Sequence, residues 1–278
     1  MNTFLKDCSR GRFLLLRGDM VSQYADVYGE WCEHELRLFE KLVSPQSNVV
    51  EVGSHIGLHA IPLAKMAAQG RIFCFEPQRV LHQMLCANIA LNNCTNVHAS
   101  NRAVGKARGT LEVAGTDYDT PWNYGSFSVD RGFSTEGEFK GAQLREQIEI
   151  TSLDDEAALG ALRSISLLKI DVEGFEAQVI EGSRKLIEAH RPVLFVENNK
   201  QENGDALIAA IRRIGYECYW FCAERFRPDN YNKVGWKLPG VDVNMVCFPG
   251  NAGAGTHGLS KVESFADLKG GKVPLIRG

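Results

Sequence analysis

From residue 48 onward, short apolar runs rich in β-branched and aromatic residues alternate with segments of helical periodicity. This alternation is typical of βαβ units packed around a parallel sheet. The runs that predict strands are, in chain order, 48–52, 71–75, 97–100, 165–171, 193–197, 216–222 and 243–248. The segments that predict helices are 57–68, a stretch that begins after Pro77, 175–189 and 205–214. We therefore predict an α/β fold with a seven-stranded, mostly parallel sheet.

The length of 278 residues, 44% of them apolar, suffices for one large hydrophobic core. We predict one main domain over residues 46–250, preceded by an N-terminal hairpin and helix at 1–45 and followed by a tail at 251–278. Within the main domain, residues 115–145 are rich in Gly, Ser, Asp and aromatic residues. A loop that long is more often a functional lid than a simple connection.

Outside the alternating pattern, the local signals are weaker. Residues 12–17 predict a strand, and Glu33 to Leu42 predict a short helix. The tail after Pro249 has the glycine-rich composition of a flexible linker and one weakly predicted helix at 262–268.

Charge and cysteine usage limit the partners and the location. The net charge is −3 and no run of five like charges occurs, which argues against nucleic acid as a partner. The apolar stretch from Phe13 to Leu16 is too short for a signal peptide or a membrane span. Eight cysteines without paired short spacings indicate reduced, mostly buried thiols. We predict a cytoplasmic protein with no membrane partner, and the sequence is compatible with a homo-oligomer.

A hydrophobic strand that ends in Glu51, Val52 and Gly53 and turns through Gly57 into a helix is suited to a nucleotide-type cofactor. A dinucleotide fingerprint would have a second glycine where His55 stands, so pyrophosphate is disfavoured. No Gly-Lys-Ser/Thr follows, which excludes a Walker A loop.

Glu76 ends the second predicted strand, 23 residues beyond Gly53. An acidic group at this place can accept hydrogen bonds from both hydroxyls of a ribose. The two signals together favour an adenosine whose ribose carries no phosphate.

The segment Leu168-Lys169-Ile170-Asp171-Val172-Glu173-Gly174-Phe175-Glu176 resembles the hallmark of FkbM-type methyltransferases, which belong to the class I S-adenosylmethionine-dependent enzymes. The resemblance covers roughly residues 20–250, and its other matches are 28–31, the glycine loop, 75–78, 102–105, 123–126 and 191–197. The sequence departs from the family pattern at two positions. His55 stands where Asn is commoner, and Glu51 stands where Asp is commoner. Both residues keep a hydrogen-bonding group.

The resemblance implies a Rossmann-like class I methyltransferase fold, with helices on both faces of the sheet and an antiparallel last strand. It also implies S-adenosylmethionine as the cofactor and transfer of its methyl group, usually to a hydroxyl of a sugar or a natural-product intermediate. The cofactor-binding residues that we predict are Glu51, Gly53, Ser54, His55, Gly57, Glu76, Pro77, Asn101, Arg102, Ala103 and Asp171.

Four of these residues also have a physical reason to bind the cofactor, independent of the motifs. Ligands of open α/β sheets bind beyond the carboxyl ends of the strands, which puts Glu76, Asn101 and Asp171 on one rim. A carboxylate in a buried parallel strand is costly unless it meets a cation or a donor. We therefore predict that Glu51 accepts a hydrogen bond from the ammonium group of S-adenosylmethionine.

Asp171 and Glu173 follow the fourth predicted strand at that rim, and we predict that they are catalytic. Methyl transfer needs an aligned acceptor, and an alcohol must also lose its proton. Our hypothesis is that Asp171 orients or deprotonates the acceptor, with Glu173 or Glu197 assisting. The alternative is that Asp171 and Glu173 only cap the helix that starts near Phe175.

The acceptor is predicted to be a small molecule or a glycan. Aromatic rings with a few polar groups suit a sugar or a polyketide-like surface. The residues predicted to bind it are Tyr28, Glu30, Trp31, Trp122, Asn123, Ser126 and Glu197.

The sequence offers two sets of candidate metal ligands, and we predict a metal site at neither. Asp171, Glu173 and Glu197 could offer oxygen ligands to Mg²⁺, although no spacing demands it. His55 and His59 have i, i+4 spacing, but no third ligand is identifiable from the sequence.

Two other functions remain as alternatives to an O-methyltransferase. A nicotinamide-dependent oxidoreductase is disfavoured by the missing second glycine. A binding module would keep the fold and the cofactor but lack catalysis.

Overall fold

The structure is a computed structural model that describes residues 1–133, 137–250 and 258–277. Its strands are β1 (Thr3–Cys8), β2 (Gly11–Leu16), β3 (Val49–Val52), β4 (Ile72–Phe75), β5 (Val97–Ser100), β6 (Ala103–Val104), β7 (Gly109–Gly115), β8 (Leu144–Thr151), β9 (Leu167–Ile170), β10 (Val193–Glu197), β11 (Tyr216–Glu224), β12 (Val241–Pro249) and β13 (Ser260–Lys261). Its α-helices are α1 (Met20–Tyr28), α2 (Glu33–Leu42), α3 (Ala60–Met66), α4 (Arg79–Leu91), α5 (Ala157–Gly160), α6 (Glu176–Glu181), α7 (Arg184–His190) and α8 (Gln201–Arg213). Short 3₁₀ turns lie at Tyr124–Ser126, Leu153–Asp155 and Phe265–Gly271.

The main sheet has the strand order β13-β11-β12-β10-β9-β3-β4-β5. Strand β12 is antiparallel to both of its neighbours, while β10, β9, β3, β4 and β5 pair in parallel. The predicted Rossmann-like α/β fold is therefore confirmed, including the antiparallel last strand of the seven. The strand count is corrected to eight, because Ser260 and Lys261 add a two-residue edge strand beside β11. A pair of residues is too short to give a periodic signal in the sequence.

Two apolar cores lie on the two faces of this sheet, because successive strand residues point to opposite faces. Val49 belongs to the core that includes Leu81 and Leu85 of α4. Its neighbour Val50 belongs to the other core, which includes Ile208 of α8. Helices thus cover both faces, as predicted.

The N-terminal segment contains the β1–β2 hairpin and the helices α1 and α2. The predicted helix from Glu33 to Leu42 is confirmed as α2, and the strand predicted at 12–17 is β2, which forms a hairpin with β1, whereas α1 was not anticipated. The fully buried Asn88 of α4 ties the hairpin to the main domain. Its Nδ2 donates to the carbonyls of Leu14 (3.2 Å) and Ile56 (2.8 Å), and its Oδ1 accepts from Leu14 N at 2.6 Å.

The region that we predicted as a long insertion, residues 115–145, lies between two strands, β7 and β8. Strands β7 and β8 pair antiparallel, and with β6 they form a separate three-stranded sheet. The described residues between β7 and β8 bury a group of aromatic side chains, namely Tyr118, Tyr124, Phe127, Phe133 and Phe139. Residues 134–136 of the predicted lid lie outside the described residues.

Two helix predictions need correction. The single helix predicted at 175–189 is two helices, α6 and α7, which Gly182 and Ser183 separate. The weak helix predicted at 262–268 is the 3₁₀ segment Phe265–Gly271. Most of the predicted glycine-rich linker, residues 251–257, lies outside the described part of the chain.

The eight cysteines are free thiols, and all but Cys86 are buried, which confirms the prediction from their spacing. Within residues 1–133, 137–250 and 258–277, no helix has the length and the apolar character needed to cross a membrane.

Candidate functional site

A cavity lies beyond the carboxyl ends of β3, β4, β9 and β10, where the loops that follow these strands converge. Open α/β sheets bind their ligands at this edge. The predicted site residues that line the cavity are Trp31, Glu51, Gly53, Ser54, His55, Glu76, Pro77, Arg102, Ala103, Asn123, Asp171, Glu173 and Glu197. The structure thus brings together residues that are far apart in the sequence.

The turn after β3 is built from left-handed backbone at Gly53 (φ +85°), His55 (φ +48°) and Gly57 (φ +89°). A Cβ on Gly53 would lie 1.8 Å from the backbone oxygen of Asp171. Gly53 is therefore required by the close approach of the loop after β9, in addition to any approach of a ligand.

Glu76 joins the loop after β4 to this turn. Its Oε2 accepts from the backbone N–H of His55 at 2.8 Å, and its Oε1 accepts from Gln78 N at 2.9 Å. Burial raises the pKa of Glu76 to about 7, although the two backbone donors act in the opposite direction. An ionised carboxylate has about four lone-pair sites, so two remain for further donors.

Glu51, Lys169 and Asp171 form a charged cluster at the base of the cavity. Lys169 Nζ lies 2.9 Å from Asp171 Oδ2 and 3.9 Å from Glu51 Oε1. Burial raises the pKa of the fully buried Glu51, and the charge of Lys169 offsets this only in part. Glu51 Oε1 has no hydrogen-bond partner, so it is available to a donor that enters the cavity.

The other two members of this cluster are charged. Burial alone would lower the pKa of Lys169, but Asp171 and Glu51 outweigh it and hold that pKa above its ordinary value. Burial likewise acts to raise the pKa of Asp171, but the charge and hydrogen bond of Lys169 hold it below its ordinary range. Asp171 is therefore an ionised carboxylate and a weak base.

Glu173 and Glu197 have different environments from that of Asp171. Glu173 has a left-handed backbone (φ +55°), and its Oε2 lies 2.6 Å from Lys200 Nζ. Glu197 Oε1 accepts from Asn199 Nδ2 at 2.7 Å, while its buried Oε2 has no hydrogen-bond partner. Burial, followed by the charges of Glu173 and Asp171, raises the pKa of Glu197 well above its usual value. Glu197 therefore has the stronger tendency to take up a proton.

Neither Asp171 nor Glu173 is the N-cap residue of the helix that follows them. Helix α6 begins after Phe175, which is its N-cap residue and makes no side-chain capping bond. The free amides of this loop are instead satisfied by Glu176, whose Oε1 accepts from Val172 N at 3.3 Å and Gly174 N at 3.0 Å. Asp171 and Glu173 pair with lysines.

The two metal sites considered from the sequence are not assembled. Within the described residues, the three side chains whose ligand atoms lie within 4.8 Å of one another are Cys32, Glu35 and His59, and Asp171, Glu173 and Glu197 form no such group. His55 and His59 diverge, because His55 Nε2 is 3.8 Å from Asp19 Oδ1 whereas His59 Nε2 faces Glu35 Oε2 at 3.2 Å.

Several predicted site residues lie outside the lining of the cavity, namely Tyr28, Glu30, Gly57, Asn101, Trp122 and Ser126. Asn101 supports the site from behind, because its Nδ2 donates to the carbonyl oxygens of Glu76 at 2.9 Å and Pro77 at 3.0 Å. Gly57 faces Leu85, whose Cδ1 would lie 2.7 Å from an added Cβ.

The other four make contacts within the protein. Tyr28 accepts from Leu238 N at 2.6 Å, and Glu30 lies 3.4 Å from Arg227 Nη1. Trp122 Nε1 donates to Phe133 O at 3.0 Å. Ser126 Oγ donates to Asn123 O at 2.8 Å.

Some cavity residues were not found from the sequence, namely Gln78, His59, Lys169, Phe175, Arg225 and Asp242. Arg225 and Asp242 form an ion pair with Nε and Oδ1 2.7 Å apart. Arg225 directly follows β11 and Asp242 lies at the start of β12. Charged residues at the ends of apolar strands were the signal that could have identified them.

Comparison with known proteins shows a match along most of the central part of the chain. A family model described as "Methyltransferase FkbM domain" matches residues 51–218. Methyltransferase sdnD from Sordaria araneosa is 29% identical over 153 residues, which cover 48% of this chain and 59% of that protein. Methyltransferase 1 from Beauveria bassiana (strain ARSEF 2860) is 28% identical over 148 residues, which cover 49% of this chain and 58% of that protein. The chain thus covers less than two thirds of the length of these two relatives.

Among solved structures, a crystal structure of methyltransferase FkbM from Methylobacillus flagellatus KT matches this chain with a TM-score of 0.48 and 16% sequence identity. The match covers 74% of this chain and 44% of that one.

Proposed function

The chain belongs to the methyltransferase FkbM family, and from this we propose that it transfers the methyl group of S-adenosylmethionine to a hydroxyl of a sugar, a glycan or a natural-product small molecule. One observation carries the proposal. The buried Glu76, which is hydrogen-bonded to the glycine turn, lines the same cavity as Glu51 and Asp171. The cavity would therefore offer a carboxylate to the adenosine ribose of the cofactor and another to its amino-acid group. Membership in this family also argues against a nicotinamide-dependent oxidoreductase.

The residues present fit this cofactor. Glu76 would accept hydrogen bonds from the ribose hydroxyls with its remaining lone pairs. Glu51 Oε1, which is buried and has no hydrogen-bond partner, would accept from the ammonium of the amino-acid portion. The backbone of Gly53, Ser54 and His55 would lie along the cofactor.

The bound cofactor would supply an electrophilic methyl group on a sulfonium. The task of the protein is then to align an acceptor oxygen with this methyl group and to exclude water. We assign the orienting role to Asp171, since its low pKa makes it a weak base. Glu197 is the better proton acceptor, because its raised pKa matches the requirement for a general base more closely.

The remaining lining suits an acceptor with apolar faces. Trp31, Phe127, Val129 and Phe175 line the cavity together with the polar side chain of Asn123. Aromatic and aliphatic surfaces with few polar groups are typical of sites for sugars and polyketide-like molecules.

Binding and turnover experiments test the proposal in two steps. Titration calorimetry should give binding of S-adenosylmethionine and S-adenosylhomocysteine, with none of NAD. Binding of NAD alone would refute the proposal. Release of S-adenosylhomocysteine in the presence of a panel of glycosides and polyketide alcohols should then depend on the acceptor. Cofactor binding without turnover on any member of the panel would instead favour a non-catalytic binding module.

A further inference from the structure

Beside the cavity, a second cluster joins the N-terminal segment to the main domain. It consists of Cys32, the N-cap residue of α2, of Glu35 in the first turn of α2, and of His59, the N-cap residue of α3. The three side chains are buried, with exposed fractions of 7%, 4% and 6%. Their sulfur, oxygen and nitrogen atoms all lie within 4.8 Å of one another.

His59 has an unsatisfied nitrogen that faces this cluster. Its Nε2 is buried and has no hydrogen-bond partner, although it lies only 3.2 Å from Glu35 Oε2, because the geometry of the pair does not allow a hydrogen bond. A buried polar atom left without a partner is costly. Two ligands at about 2.0–2.1 Å from a tetrahedral Zn²⁺ ion lie about 3.3 Å apart, which is close to the observed separation.

Asp242 lies beside Cys32 at the edge of this cluster. Its Oδ2 lies 3.1 Å from Cys32 Sγ, and its Oδ1 is held by Arg225 Nε at 2.7 Å. The second oxygen of Glu35 accepts from Asn244 Nδ2 at 3.0 Å. The carboxylate of Glu35 is therefore oriented by a partner on its second oxygen, as the carboxylate ligands of metals commonly are.

The charges of the cluster favour a divalent cation. A Cys32 thiolate and the carboxylates of Glu35 and Asp242 carry three negative charges, which Arg225 and one divalent ion would balance. Cys32 also has a left-handed backbone (φ 43°, ψ 46°), a conformation that costs free energy in a residue other than glycine.

We propose that Cys32, Glu35 and His59 bind one Zn²⁺ ion. A set of one thiolate, one imidazole and one carboxylate suits Zn²⁺ better than Mg²⁺ or Ca²⁺, and it leaves the fourth position of a tetrahedral ion to water. On binding, the sulfur of Cys32 forms a bond to zinc and its proton leaves to solvent. The ion connects α2 with α3 next to the cavity, which His59 also lines.

The test uses the full chain after exhaustive chelation, titrated with Zn²⁺ or Co²⁺ alone. We expect one equivalent to bind, and the Co²⁺ form should show a thiolate-to-metal charge-transfer band. The variants Cys32→Ser and His59→Gln should each weaken Zn²⁺ binding by roughly 100-fold or more, since even loss of an outer partner costs about 10- to 100-fold. Cys32→Ser should also remove the charge-transfer band.

Cys86→Ser is the matched control. Cys86 is an exposed thiol whose sulfur lies 3.7 Å from His82 Nε2, so this pair represents adventitious surface binding. The control should bind Zn²⁺ as the wild type does. If His59→Gln does not fold, Glu35→Gln replaces it.

Two outcomes would overturn the zinc proposal: wild type that binds less than half an equivalent, or loss of binding in Cys86→Ser with retention in Cys32→Ser. Neither measurement involves S-adenosylmethionine or an acceptor. The zinc site and the proposed methyl transfer can therefore fail independently.

Discussion

Gly53 is the residue at which the fold tolerates a side chain least. Its φ of +85° is unfavourable for other residues, and an added Cβ would lie 1.8 Å from the main-chain oxygen of Asp171, which cannot move aside as a flexible side chain can. Gly53→Ala should therefore lower the free energy of unfolding by about 2 kcal/mol or more. Urea denaturation followed by circular dichroism measures this loss.

Gly235→Ala provides the comparison, because nothing lies within 4 Å of its added Cβ. Surface changes of this kind alter the free energy of unfolding by about 0.5 kcal/mol or less. Equal stabilities of the two variants would show that the loop after β9 does not approach Gly53 as closely as described.

Glu76 should make cofactor binding dependent on pH. Its pKa is about 7 in the free protein because of burial, and donors from a ribose would favour the ionised form and lower the pKa in the complex. Protonation therefore competes with binding below pH 7, so S-adenosylmethionine should bind about tenfold more tightly at about pH 8 than at about pH 6. Calorimetry at several pH values measures the change, and it should also detect proton release at the lower pH.

In Glu76→Gln, binding should be weaker and nearly independent of pH between these values. A pH dependence like that of the wild type would assign the titration to another group.

Asp171 and Glu197 should differ in how their variants change the pH profile of kcat/KM. If Glu197 takes the proton, Glu197→Gln should lose roughly 100-fold in rate together with the rising limb of the profile. Asp171→Asn should keep that limb but shift it to lower pH, because the charge of Asp171 helps to raise the pKa of Glu197. A profile that loses its rising limb in Asp171→Asn instead would exchange the two roles.

The residues of the cavity differed in how well the sequence predicted them. Glu76 and Asp171 were predictable, because each directly follows a strongly apolar strand and parallel strands end at one edge of the sheet. The adjacent buried group of Cys32, Glu35 and His59 was not, because its members come from two helices whose packing has no local signal. His59 was considered as a ligand, but its sequence neighbour His55 turns toward Asp19 instead.

At the scale of elements, burial decided which strands were predictable. Strands β3, β4 and β9 are buried at every residue, so they appear as continuous apolar runs. At least half of the residues in strands β7 and β8 are exposed, and their sequences show no clear alternation. The sequence therefore did not predict them. Helix α1 likewise depends on contacts with distant parts of the chain.

Asn88 makes the buried hydrogen bonds between the hairpin and α4, so this contact should contribute measurably to stability. Asn88→Ala leaves the main-chain groups of Leu14 and Ile56 unpaired in the interior, and each unpaired buried group costs about 1–3 kcal/mol. We expect the free energy of unfolding to fall by about 2–4 kcal/mol, measured by chemical denaturation.

Asn92→Ala is a matched control on the same helix. Asn92 makes the equivalent pair of bonds with the main chain of Arg12, at 3.1 Å and 2.7 Å, but at an exposed position where water replaces them. Its loss should cost about 1 kcal/mol or less. If Asn92→Ala proves as destabilising as Asn88→Ala, burial is not the reason for the effect.

At the scale of the whole molecule, the N-terminal segment and the insertion are joined into one wall of the cavity. Asp19 accepts from Ser22 N at 2.8 Å and from Tyr124 N at 3.3 Å, so one buried carboxylate both caps α1 and holds the insertion. Trp122 adds two backbone bonds, from its N to Gly18 O at 2.8 Å and from Met20 N to its O at 3.0 Å. Because Met20, Val21, Asn123 and Gly125 line the cavity, a bound ligand would contact both segments.

This connection predicts that a ligand orders the two segments together. In hydrogen–deuterium exchange, saturating S-adenosylhomocysteine should slow exchange roughly tenfold or more in peptides covering residues 18–28 and 116–133, since local opening of either segment breaks the same hydrogen bonds. Peptides from α8, which does not line the cavity, should exchange at unchanged rates and serve as the internal reference. The variant Asp19→Asn, which weakens the shared cap, should speed exchange in both segments in the absence of ligand. Protection of residues 116–133 without any change in residues 18–28 would mean that the insertion closes over the cavity by itself, as an independent lid.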